Sequence, residues 1–263
     1  MGRIDLVSVT MRFTSGDSVV TALDDVNLAV EDREIVTLVG ASGCGKSTLL
    51  NLVAGFETPT LGQVLVDGHS VKGPGPDRGV VFQQTALFPW LSVEDNIAFG
   101  LSLRANKGKG ARGQVVERML QRTGLSAFRD RHPAELSGGM RQRAAIASVL
   151  AINPSTLLMD EPFGSLDSLT RSIMQDFLLE IWEEQRKTVV LVTHDIDEAI
   201  YLADKTVVMT AQPGRICEMI HVDLPRPRRY EMRSGAAFIA LRDHVTQIVR
   251  TEAIKSSALS TAH

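Results

Sequence analysis

Nine residues, GASGCGKST at 40–48, end in a lysine and two hydroxyls and fit the spacing G-x-x-x-x-G-K-[ST]. Gly40, Gly43 and Gly45 let the backbone curl so that successive N–H groups face an anion. Ala41, Ser42, Cys44 and Thr48 supply further loop amides. Lys46 is placed to reach β- and γ-phosphates, and the Ser47 hydroxyl to bind Mg²⁺. The loop follows an apolar run, EIVTLV at 34–39, and opens a helical stretch, which is the setting the motif requires. The chemistry is that of a nucleoside triphosphate site.

A second stretch, TLLMDEP at 156–162, is an apolar strand ending in two carboxylates. Asp160 is placed to hold the hydration shell of Mg²⁺ at the carboxyl end of a sheet. Glu161 is a poor metal ligand there but a well-placed base for a water attacking the γ-phosphate, so hydrolysis is favoured over transfer to a hydroxyl. A third stretch, LSGGM at 136–140, sets Ser137 in N-cap position before Gly138, Gly139 and a helical run from Met140 to Ile152. That is a second anion site at a helix N-terminus, with no ligand visible within the chain.

These motifs need a scaffold, and the pattern supplies an α/β one. Strands are expected at 4–13 and 21–30 around the turn 14–17, then at 34–39, 63–67, 79–82, 156–159, 188–192 and 205–209. Helices are expected at 46–54, about 166–185, 195–203 and 236–250. Residues 85–152 change character to helices and polar loops, with KGKGARG at 107–113 a flexible connection and the chain from Ser256 a frayed tail. The interrupted strand–helix alternation implies a parallel sheet carrying a helical insertion.

At 263 residues with 44% hydrophobic and 22% charged content, the chain suits one large domain or a core with a satellite. A net charge of −3 gives no reason to expect nucleic acid as a partner. Two cysteines, Cys44 and Cys217, are too few for a disulfide framework and favour a reducing compartment. The sequence shows no membrane span and no signal peptide, so work at a membrane requires an attachment through another protein. Cys44, at the start of a helix, is expected to be a reactive thiol whose alkylation blocks nucleotide binding.

In the order phosphate loop, LSGGM, DEP, the sequence resembles an ABC-type ATPase, the nucleotide-binding subunit of a transporter, over roughly residues 3–250. The resemblance implies a P-loop NTPase with a RecA-like core, an antiparallel β-subdomain and an inserted α-helical subdomain. Its boundaries are 1–86 with 153–220 for the ATP-binding core, 87–152 for the helical signature subdomain and 221–263 for a C-terminal helical extension. It implies that Phe13 stacks on adenine, that Gln83 touches Mg²⁺ and the attacking water, that Asp167 in FGSLD is the acid of a loop crossing the dimer, and that His194 contacts the γ-phosphate. Two subunits would pack head to tail, so that Ser137, Gly138 and Gly139 bind ATP held by the partner. Met140 stands where the family usually has Gln, and Ser165 where Ala is common.

GPGPDRGVVFQQTALFPWLSVEDNIAFGL at 73–101 and DEPFGSLDSLTR at 160–171 are similar to importer ATPases of the taurine, nitrate and sulfonate group, closest to the taurine type. That branch implies an integral-membrane permease docked near Ala86–Val93, with Phe88, Pro89 and Trp90 in the groove. It also implies a periplasmic or lipid-anchored solute-binding protein and a place on the cytoplasmic face of the cell membrane. The basic residues Arg226, Arg228 and Arg229 fit a solvated face, with anionic lipid or the permease as the other reading. A non-import ABC ATPase and a P-loop kinase remain the competing functions.

Overall fold

The computed structural model describes residues 2–16, 18–103 and 109–260. Strands β1 (Ile4–Ser15), β2 (Ser18–Val30), β4 (Leu61–Val66) and β5 (His69–Ser70) form a sheet in the order β2-β1-β4-β5. All its pairings are antiparallel, and Ile4, Leu6, Val9 and Met11 of β1 turn inward.

The second sheet contains β3 (Ile35–Gly40), β6 (Arg78–Val81), β7 (Thr156–Asp160), β8 (Thr188–Val192), β9 (Lys205–Met209) and β10 (Ile216–His221), in the order β10-β9-β3-β8-β7-β6. Its pairings are parallel except β9 with β10. Both faces are covered, so β3, β8 and β9 are buried along nearly their whole length, the polar Thr37, Thr188, Lys205 and Thr206 included. Val36 and Leu38 point into a core shared with β1, β2 and helix α1 (Lys46–Ala54). Ile35 and Val39 point the other way, into a core built with the remaining helices.

Those helices are α2 (Val93–Leu103), α3 (Lys109–Arg122), α4 (Gly138–Ala151), α5 (Ser168–Gln185), α6 (Ile196–Leu202) and α7 (Ala236–Ser260). Of the expected flexible connection, residues 107 and 108 lie outside the described residues and 109–113 begin α3. Val116, Met119 and Leu120, at helical spacing, bury that helix against α2 and α4 and carry it N-terminally through the glycines. Helix α7 runs through Ser260 rather than fraying from Ser256, with Glu252 buried and ion-paired to Lys255. Phe238 and Val245 of α7 belong to the same core as Ile35 and Val39, so residues 236–250 pack as part of the main body.

The parallel strands β3, β6, β7 and β8 all end at one edge of the sheet. The phosphate loop follows β3, Gln83 lies just beyond β6, Asp160 ends β7, and His194 lies two residues beyond β8. A ligand crevice outside the carboxyl ends of such strands is where α/β sheets bind.

Candidate nucleotide site

The phosphate loop is held in shape by close approach. Gly45 has φ 90°, and a Cβ there would lie 2.6 Å from Leu23 Cδ2 and 2.9 Å from the Ala22 carbonyl oxygen. Only glycine fits both the left-handed conformation and the space. Gly214 backs the loop from the other side: its N–H donates to the Ala22 carbonyl at 2.9 Å, and a Cβ would sit 2.1 Å from the Cys44 carbonyl oxygen. Lys46 is buried, and its ammonium donates to the carbonyls of Gly40 and Ala41 at 2.9 Å each, which fixes the cation over the loop.

At the end of β7, the Asp160 carboxyl lies beside the Ser47 hydroxyl. Burial pushes that carboxyl above its ordinary range; the Ser47 hydroxyl and the Lys46 charge oppose the shift, and the Glu161 charge adds to it. A hydroxyl and a carboxylate side by side are the hard oxygen donors that Mg²⁺ takes, so the residues fit that ion. The chain then turns sharply. Glu161 has φ 45°, uncommon for a residue with a side chain, while its N–H still bonds the Val192 carbonyl at 2.9 Å as the last rung between β7 and β8. The turn aims the carboxylate into the crevice, where Oε2 accepts from Gln83 Nε2 at 3.0 Å and lies 3.2 Å from His194 Nδ1.

Together these groups line a cleft of about 490 Å³: residues 40 and 42–48 of the loop, Gln83, Glu161 and His194, with Ala22 and Gln212. That size suits a small-molecule ligand. The structure therefore gathers the loop, Gln83, His194 and the candidate base Glu161 at one place.

Other expected site residues lie elsewhere. Ser137, Gly138 and Gly139 do not line this cleft. Ser137 is exposed at the start of α4, where its Oγ accepts from the Met140 N–H at 3.2 Å. Asp167 caps α5 through the Thr170 N–H at 3.0 Å and also lies outside the cleft. Phe13 is 41% exposed on β1, opposite Val20, on the same hairpin that supplies Ala22. The expectation of a reactive Cys44 fails: the residue is fully buried, its Sγ 3.4 Å from Lys46 Nζ, and a helix N-terminus activates a thiol only where reagents reach it.

With that geometry in view, similarity to known proteins decides the family. Residues 23–164 match the ABC transporter family. The chain belongs to that family. It is 45% identical over 239 residues to the aliphatic sulfonates import ATP-binding protein SsuB of Bacillus licheniformis, covering 91% of each chain. It is 50% identical over 212 residues to the nitrate import ATP-binding protein NrtD of Synechococcus elongatus, covering 80% of this chain and 77% of that one. Its fold is similar to a dimeric structure of a post-hydrolysis state of the ATP-binding cassette MJ0796 bound to ADP and Pi. The TM-score is 0.77 at 32% identity, over 84% of this chain and 100% of that one. The chain is thus an ATPase of the ABC transporter type with the cassette fold.

Within this ABC ATPase, three features escaped the sequence reading. Ala22, on β2, and Gln212, beyond β9, join the cleft wall, with the Gly214 N–H bonded to the Ala22 carbonyl between them. Met140 is partly buried against the main core, so its side chain packs rather than binds. The basic run at 226–229 is not a solvated face throughout. Arg226 stacks on Trp182 at 4.0 Å and pairs with Asp204 at 2.7 Å, and Arg228, 7% exposed, donates to the Ala203 carbonyl at 2.8 Å. Arg229 alone of the three is exposed. No helix among the described residues is long and apolar enough to cross a membrane.

Proposed function

We propose that the chain is the ATP-hydrolysing subunit of an importer for a small oxyanion. The single observation that carries the catalytic part is the meeting of Gln83 and His194 on one oxygen of Glu161, beside the phosphate loop. The import reading rests on the likeness to ATPases named for sulfonate and nitrate uptake. Taurine, itself a small sulfonate, is our first choice of solute within that class.

In this reading Lys46 and the amides of residues 40–48 hold the triphosphate, and Phe13 stacks on the adenine. Ser47 and Gln83 would hold Mg²⁺, with Asp160 reaching it through water; the ion would supply charge neutralisation on the β- and γ-phosphates. Glu161 accepts the proton of the attacking water, and Gln83 and His194 fix that carboxylate and face the γ-phosphate. Ser137, Gly138 and Gly139 complete the site of a second copy in an isologous dimer, and Asp167 lies where the two copies cross. ATP then closes the dimer and hydrolysis opens it. The domain boundaries expected from the sequence, with the signature on its own helical piece at 87–152, suit such a cycle.

The dimer would sit on the cytoplasmic face of the membrane, held by permease subunits that receive solute from a periplasmic or lipid-anchored binding protein. Trp90, 71% exposed and 5.5 Å from the Phe88 ring, supports a docking surface for the permease. The test is reconstitution with a permease that co-purifies with the chain: uptake of taurine, an alkanesulfonate or nitrate should require ATP. ATP hydrolysis with no solute uptake, and no permease co-purifying with the chain, would favour a non-import ABC ATPase. Phosphorylation of an added solute would favour a kinase.

A further inference from the structure

A chain of hydrogen bonds joins the segment before α7 to the turn that carries His194. Arg233, in the short helical turn Tyr230–Ser234, donates to Gln175 Oε1 at 2.5 Å. Its guanidinium also lies over the rings of Tyr201 at 4.1 Å and Tyr230 at 5.3 Å. Gln175, buried on α5, donates through Nε2 to Glu198 Oε2 at 2.8 Å. Glu198, 3% exposed on α6, lines one small cavity with Thr193, His194 and Asp195, and its N–H donates to Asp195 Oδ1 at 3.0 Å. Thr193 Oγ1 in turn accepts the Asp195 N–H at 3.0 Å, so the two residues flanking His194 are clasped together.

The chain has a direction. Arginine has no acceptor, so Arg233 dictates that the Gln175 amide turns its oxygen outward and its NH₂ toward Glu198. Without the cation, the amide can flip and set its oxygen against the buried carboxylate. That repulsion would loosen Glu198 and, through its bond to Asp195, the Thr193–Asp195 turn. The same segment is latched nearby by Arg226 on Asp204 and Arg228 on the Ala203 carbonyl, next to the end of α6.

We propose that Arg233 is a positioning residue for His194: through Gln175, Glu198 and the Thr193–Asp195 turn it sets the placement of the histidine that meets Glu161, and so ties hydrolysis to the docking of the C-terminal segment. The proposal rests on the catalytic reading of His194 given above. Arg233 touches none of the groups lining the nucleotide cleft.

The experiment is steady-state ATP hydrolysis by the full chain and its variants. Arg233→Met keeps an apolar stem against Tyr201 while removing the charge and donors. It should lower kcat about fivefold with KM for ATP changed by less than about twofold. Arg233→Lys, which keeps a donor, should recover at least about half of the rate. Gln175→Leu should match the effect of Arg233→Met, and the double variant should be no worse than either, because one path is cut twice. A wild-type kcat in Arg233→Met, losses that multiply in the double variant, or no recovery with lysine would overturn the proposal. Should the unmutated chain itself fail to hydrolyse ATP, it is the catalytic reading that falls; a normal rate in Arg233→Met removes the relay alone.

Discussion

Glu161 Oε2 lies 3.2 Å from His194 Nδ1. The contact joins the ends of two neighbouring parallel strands, β7 and β8, and the Glu161 N–H to the Val192 carbonyl stitches the same two strands one step earlier. Gln83 approaches the same oxygen from beyond β6, so three adjacent strand ends converge on one carboxylate. A carboxylate held by two polar neighbours is oriented before substrate arrives, which suits the base proposed at Glu161.

Glu161→Gln keeps the shape of that side chain and its contact with Gln83 but removes the base. Hydrolysis should fall at least about a hundredfold, while ATP affinity is unchanged. Turnover at the wild-type rate in a phosphate-release assay would remove Glu161 from the mechanism.

Lys46→Ala deletes a buried cation held by two carbonyls at the mouth of the loop. The loss of a charge-assisted bond worth roughly 1.5–3 kcal/mol should weaken ATP binding about ten- to a hundredfold by calorimetry. Its melting temperature should stay close to that of the unmutated chain, since the lysine faces the cleft.

How far the site was legible in the sequence depends on distance along the chain. The phosphate loop could be read because its glycines, lysine and hydroxyls are contiguous and its flanking strand and helix are uninterrupted. The Cys44 expectation failed because burial of that thiol depends on the Gly214 loop and the β1–β2 hairpin, more than a strand away in each direction. The inward turn of Arg226 was equally hidden, since Trp182 and Asp204 are brought to it by the packing of α5 and the approach to β9. The Arg233 relay joins residues 58 and 23 positions apart, and no periodicity marks them.

Burial pushes the Glu198 carboxyl from its ordinary 4.5 up to about 7; the Thr193 and Gln175 side chains and the Arg171 charge oppose the shift, and Asp195 adds to it. A raised carboxyl binds its proton more tightly in the folded chain. Stability should therefore fall as pH rises from about 4.5 to about 7, by at most roughly 3 kcal/mol, and level off above. Denaturant unfolding across that range should show the slope, and Glu198→Gln should flatten it. An unchanged slope in the variant would assign the titration to another group.

Thiol reagents should mark exposed Cys217 before buried Cys44. Mass mapping after brief treatment of the native chain should find label at Cys217, with Cys44 labelled only after denaturation. Early label at Cys44 would mean that the phosphate loop opens in solution.

The account stands on a nucleotide site shared by two copies, since the exposed Ser137 lies outside the cleft of its own chain. Ser137→Asp retains an N-cap but sets a carboxylate where the partner's γ-phosphate would lie. The direct measurement is sedimentation of Glu161→Gln with and without Ser137→Asp, in saturating ATP, beside calorimetry of ATP binding to the dilute monomer. The account predicts an ATP-dependent dimer for Glu161→Gln alone, loss of that dimer when Ser137→Asp is added, and equal monomer affinity for ATP in both. A dimer that persists in the double variant, or a monomer whose ATP binding collapses with Ser137→Asp, would contradict it.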